Sequence, residues 1–184
     1  TSFLTTGGIR GRKKSIDKFL PRSFNMGVKK NAFDEVDGFS DIRQYGEDLD
    51  LSYKLLFSRK KSGLIADAKV YHKRRTNLYN FFQQMFKSGK GRHYLNLKYK
   101  GTFRFFHLFP TFFVLGFFIS NISDIFFQND YVSLVQSLYG FYFSLIFLSS
   151  TIINFNPLIG ILSVITSFVQ FLGYGTGYIY SQFK

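Results

Sequence analysis

Glu47 and Asp48, with Asp50 two positions on, form the densest acidic cluster in the chain. They sit in Gly46-Glu47-Asp48-Leu49-Asp50-Leu51-Ser52, where an apolar helical face carried by Leu49, Leu51, Tyr53, Leu55 and Leu56 begins. A carboxylate can take the proton of a hydroxyl that is about to attack an electrophile, which is general-base work. The same acids also suit a plain structural role, because negative charge in a first helical turn meets the positive end of the helix dipole. Spacing alone leaves both open. A second set closes the run Leu64 to His72, where His72 is followed by Lys73, Arg74 and Arg75. An imidazole can ligate a metal and the cations can hold phosphate, although a His at a strand end also serves as an ordinary structural residue. A third set lies in Thr5 to Lys14. Bare glycine amides beside Arg10 and Arg12 could cradle phosphate. The Walker spacing is absent, and a solvated basic loop fits the same residues.

These groups need elements to hold them. Pro21 to Val28 reads as a strand with a turn and Lys29 to Phe33 as a short helix. Val36-Asp37-Gly38-Phe39 is a turn, and the acidic cluster opens a helix through residue 57. Leu64 to His72 has the look of a short strand. Asn77 to Gly89 is an amphipathic helix with Phe81, Phe82, Met85 and Phe86, ended by Gly89-Lys90-Gly91-Arg92. Its Phe and Lys content and its place before the apolar half suit a bilayer surface.

The chain has 184 residues and a net charge of +13, with 24 Lys and Arg against 11 Asp and Glu. The charge is unevenly placed: after residue 104 only Lys184, Asp124 and Asp130 remain. This excludes one evenly patterned soluble domain, and an aromatic content of 21% argues against disorder. No cysteine is present, which excludes disulfides, thiolate metal sites and cysteine nucleophiles. The chain opens on polar sequence without a secretory signal or a Met, and is expected to be a fragment of a longer protein.

Three apolar runs fill the second half, about 105–127, 132–153 and 157–181. Each is long enough for the roughly 20 helical residues that a bilayer core requires. Pro157 stands where a helix begins, at no cost in hydrogen bonding. The first run is the weakest, with His107 and Pro110 near its start, and an interfacial or kinked segment fits it as well as a clean crossing. Gly173, Gly175 and Gly177 resemble a small-residue packing face, or else a weak point in the third helix. Lys98, Lys100 and Arg104 flank the first run, so residues 1–104 are expected in the cytoplasm and three crossings would place the end of the third run outside.

As an ordered set, Arg22 to Gly27, Phe33-Asp34-Glu35-Val36-Asp37-Gly38-Phe39, Gly46 to Ser52, Val70-Tyr71-His72 and Phe82 to Arg92 resemble the C-terminal part of a family 2 glycosyltransferase with the GT-A fold. The second piece is similar to the family's F-x-x-V-G-G-F turn, with Asp37 in place of the first Gly. The third is similar to its G-E-D-x-D-L signature. The resemblance covers about residues 1–95, without the family's nucleotide-binding half and its D-x-D motif. It implies an α/β architecture for residues 1–104, the C-terminal half of a nucleotide-diphospho-sugar transferase domain. An all-α membrane region of two to three transmembrane helices would follow in 105–184, making a multi-pass protein of the cell (inner or plasma) membrane.

The resemblance also implies a function. Sugar would pass, with inversion, from a nucleotide-diphosphate donor to a glycan or lipid-linked acceptor of the cell envelope. The family's base maps to Asp48, and Glu47 becomes a neighbour that bonds the acceptor or tunes Asp48. Asp50 becomes a supporting residue. His72 matches the ligand of a divalent cation, Mg or Mn. Arg74 and Arg75 would meet the diphosphate, and Arg10, Arg12, Asn25 and Arg92 join them as substrate-binding candidates. The Q-x-x-R-W motif of processive members is missing: no Arg-Trp pair follows Gln83 and Gln84. The piece alone is expected to be inactive.

A competing reading is a non-enzymatic basic module on a membrane anchor, binding anionic lipid or nucleic acid through runs such as Arg12-Lys13-Lys14. On the enzyme reading no nucleic-acid partner is expected. A transport role is weakened because the apolar runs hold almost no ionisable residues.

Overall fold

The computed structural model describes residues 20, 21, 23–40, 46–65, 68, 70, 71, 76–126 and 129–183. A 3-10 turn, Ser23–Asn25, precedes six helices: α1 (Lys30–Glu35), α2 (Glu47–Phe57), α3 (Leu78–Lys98), α4 (Phe109–Phe126), α5 (Asp130–Asn154) and α6 (Pro157–Tyr180). A second 3-10 turn, Phe105–His107, leads into α4.

The α/β expectation for residues 1–104 is corrected: among the described residues there is no strand, and the regular structure is helical throughout. Ser23 to Asn25 coil into the 3-10 turn instead of extending. In the second expected strand, Ile65 is 73% exposed and Tyr71 fully exposed. Their apolar side chains have no face to cover, and the described backbone there lies beside no partner strand. Alternating apolar residues make a strand only when a neighbouring strand takes the ladder hydrogen bonds and a layer takes the buried face.

Local chemistry sets the helix ends. After α1, Asp37 and Gly38 both take positive φ, and the Gly38 amide donates to the Phe33 carbonyl at 2.9 Å. A methyl group on Gly38 would lie 2.6 Å from the Phe33 ring, so this turn requires glycine. The side chains of Asn77, Asn129 and Asn156 each accept from an amide in the first turn of α3, α5 and α6, and Pro157 opens α6.

The helix expected over residues 77–89 runs on to Lys98, straight through Gly89 and Gly91. A glycine in a helix interior costs about 1 kcal/mol against alanine. Here tertiary contact outweighs that cost, because a methyl at Gly89 would overlap the backbone carbonyl of Tyr174 in α6.

Helices α4, α5 and α6 are each long and apolar enough to cross a membrane, close to the three runs read from the sequence. α5 and α6 form an antiparallel hairpin. Ser150 meets Ser163 at 2.6 Å, and further along Phe143 meets Phe168 and Tyr142 meets Phe171. The core is aromatic: Phe113 of α4 lies 4.7 Å from Phe171 of α6 and 4.9 Å from Tyr139 of α5, ring centre to ring centre. The Tyr139 hydroxyl donates to the Phe113 carbonyl at 2.8 Å. The glycines near the end of α6 form a packing face. Gly173 and Gly177 lie against Phe82, Met85 and Phe86 of α3, and Gly175 against Pro110 and Thr111 of α4.

Candidate functional site

The acidic cluster opens α2, as its sequence suggests. Gly46 takes φ 130, a conformation that L side chains rarely adopt, and turns the chain into the helix. Glu47, Asp48 and Asp50 all fall in the first turn. A Glu47 oxygen accepts from the Gly46 amide at 3.1 Å, and Asp48 Oδ1 accepts from the Leu49 amide at 2.8 Å. Asp48 is buried, 8% exposed, while Glu47 is half-buried.

Asp50 has a different part. It is fully buried, and its carboxylate accepts from Ser40 Oγ at 2.6 Å, Lys98 Nζ at 2.7 Å and the Tyr99 hydroxyl at 2.8 Å. Burial alone would push its carboxyl up. The hydrogen bonds from Lys98, Ser40 and Tyr99, with the charge of Lys98, outweigh that and hold it below the usual carboxylate value. Burial and the Asp50 charge push the Tyr99 phenol well above its ordinary value. Asp50 is thus a brace that fastens the start of α2 to the end of α3. Lys98, Tyr99 and Ser40 are the members that sequence spacing missed, since Lys98 stands 48 positions from Asp50.

Arg92, a substrate-binding candidate, lies between helices. Its Nη1 donates to the Tyr53 hydroxyl of α2 at 3.3 Å, and its guanidinium also hydrogen-bonds Tyr174 of α6. Asn25, exposed, donates from Nδ2 to the Ala68 carbonyl at 3.2 Å. Arg10, Arg12, His72, Arg74 and Arg75 lie outside the described residues. Among the described residues no three His, Cys, Asp or Glu side chains are grouped to hold a metal ion. Glu47 and Asp48 by themselves do not make a donor set for one.

An open groove of about 600 Å³ runs along the far half of α2, lined by Val36, Asp37, Lys54, Phe57, Lys98 and Tyr99. Two of its cations are engaged: Lys54 donates to the Val36 and Gly38 carbonyls at 3.2 and 3.0 Å, and Lys98 pairs with Asp50. Phe57 and Tyr99 stack at 5.5 Å in its wall.

His107 marks the elbow between α3 and α4. It is buried, its Nδ1 accepts from the Arg104 amide at 3.3 Å, and it contacts the rings of Phe103 and Phe106. Burial first, then the positive charges of Arg92 and Arg104, push its pKa down to about 4.

Glu47 and Asp48 stand together in the first turn of α2, Asp50 is a brace, and Arg92 ties α3 to α2 and to the membrane helix α6. No protein-family model, curated protein or solved structure matches the chain.

Proposed function

We propose that the chain belongs to a membrane-anchored glycosyltransferase that moves a sugar, with inversion, from a nucleotide-diphosphate donor to a glycan or lipid-linked acceptor. The observation that carries the reading is the pair Glu47 and Asp48 at the first turn of a helix whose place relative to the membrane helices is fixed. The Asp50–Lys98 brace holds α2 to α3, and α3 packs on the apolar helix α6. Such an arrangement suits an acceptor held at a bilayer, since a base and a bound hydroxyl must meet within hydrogen-bond reach.

On this reading Asp48 takes the proton of the acceptor hydroxyl as that oxygen bonds to the anomeric carbon. The bond from that carbon to the diphosphate breaks on the opposite face, and the leaving group takes the bonding pair. Glu47 hydrogen-bonds the acceptor. Arg10, Arg12, Arg74 and Arg75 would receive the diphosphate charge, as cations do at such leaving groups. A divalent cation, Mg or Mn, with His72 as its ligand, belongs to the same proposal.

The test uses the whole protein in native membranes, offered a panel of labelled nucleotide sugars. Transfer that Asp48→Asn removes, with donor binding retained, supports the reading. Absence of transfer from every donor, together with salt-sensitive binding to anionic vesicles, would favour the non-enzymatic basic module instead.

A further inference from the structure

The contacts of α6 fix which ends of the helices share a side of the membrane. Its last two turns lie against α3: Gly177 against Phe86, Tyr178 against His93 with its hydroxyl 3.4 Å from Asn96, and Tyr180 under the Lys90 ammonium at 5.1 Å. α3 carries Lys87, Lys90, Arg92 and Lys98, and Lys100 and Arg104 follow it. So many cations do not enter hydrocarbon, where each costs several kcal/mol at the centre. The end of α6 therefore lies at the membrane face that carries this basic flank.

α5 is antiparallel to α6, so the start of α5 lies at that same face. The start of α4 lies there too, because Pro110 and Thr111 abut Gly175. The end of α4 is joined to the start of α5 by residues 127–129 alone, a link of at most roughly 15 Å from Cα to Cα. A bilayer core is about 30 Å thick, beyond the reach of that link. Both ends of α4 are thus held at one face.

We infer that α4 does not cross the bilayer: it lies within the leaflet next to the basic flank, α5 and α6 are the two crossing helices, and residues 78–104 share a side with the end of α6. The surface of α4 agrees. Phe112, Leu115, Ile119, Ile122 and Phe126 recur at three- and four-residue spacing and are all exposed, a stripe that fits acyl chains. Past the contact with the hairpin, the other side of α4 carries Asn121, exposed, and Asp124, half-buried. Polar groups there suit the headgroup level of an in-plane helix.

Residues 1–184 hold no cysteine, so once any cysteine elsewhere in the whole protein is replaced by serine, single cysteines report without background. Lys100→Cys, Tyr131→Cys, Phe155→Cys and Gln182→Cys in the whole protein, in sealed vesicles, would be treated with a membrane-impermeant maleimide before and after permeabilisation. Expected is labelling of positions 100, 131 and 182 from one side and of 155 from the other. Three crossings would place 131 and 182 opposite 100 and would overturn the inference. Depth-dependent quenching of labels at Ile119 and Phe126 gives a second reading. Similar shallow depths support the in-plane helix, and one label at the bilayer centre with the other in the far leaflet overturns it.

Discussion

Gly177 of α6 stands so close to the backbone of Phe86 in α3 that a methyl group there would overlap the Phe86 carbonyl. Gly173 and Gly89 repeat the relation, so backbone packs on backbone along this interface. A side chain at Gly177 must force the helices apart. Gly177→Leu is expected to cost about 1–3 kcal/mol, in the range of overpacked interiors. Gly140→Leu, where nothing lies within 4 Å, should cost little. Thermal unfolding in detergent, with limited proteolysis of α3, measures both. Equal stability of the two variants would refute the close contact.

The brace at Asp50 predicts an asymmetry. Lys98→Met leaves a carboxylate, fully buried, without its cation, and removal of one partner of a buried pair costs about 3–5 kcal/mol. Asp50→Asn leaves an ammonium that is 30% exposed and can turn to water, so its cost is smaller. Denaturant unfolding of the two single variants and the double variant would show this order. Loss of the cation should also raise the Asp50 carboxyl toward its ordinary range, moving acid unfolding to higher pH.

Acid should loosen the elbow at His107. Its folded pKa of about 4 is below its ordinary 6.5, so the folded state favours the neutral ring. The stability this gives is present above 6.5 and is lost as pH falls from 6.5 toward 4. Asp50, also lowered from its ordinary value of 3.8, adds its own loss only below that value. Melting temperature followed from pH 7 to 4.5 should fall, and His107→Gln should flatten the slope. An unchanged slope in that variant would remove His107 as the cause.

For the proposed transfer, Asp48→Asn should lower turnover by roughly 100-fold or more, the lower end of what general-base catalysis supplies. Glu47→Gln should act mainly on acceptor KM. Far-UV circular dichroism must stay unchanged, because Asp48 is buried. Unaltered turnover in a folded Asp48→Asn protein rules it out as the base.

Much of the helical plan is legible in the sequence because its causes are local. The helix bounds at Asn129, Asn156 and Pro157 follow from capping chemistry, and the turn at Asp37-Gly38 follows from a backbone that only small residues tolerate. The apolar runs announce α4, α5 and α6 by length alone. What misleads is the reading of Leu64 to His72 as a strand, since alternation says nothing about whether a partner strand is there to pair with. Gly89 and Gly91 mislead in the opposite sense: they read as a helix end, but the helix runs on, with Gly89 packed on the α6 backbone. At the candidate site, Gly46 to Asp48 at a helix start is visible in the motif. The partnership of Asp50 with Lys98 and Tyr99 is not, because only the folded chain brings them together.

Among the described helices, α6 is the one that packs on α3, α4 and α5 alike. It is also the last of them to leave the ribosome. Helices α3 and α4 are therefore complete for some time before the surface that receives them exists, since synthesis adds about 5–20 residues per second. During that interval their Phe-rich faces must be held by lipid or by a chaperone. Assembly becomes a late event, triggered when the Gly173–Gly177 segment reaches the membrane face beside α3, and a chain cut short before it would keep its acidic helix without a fixed seat.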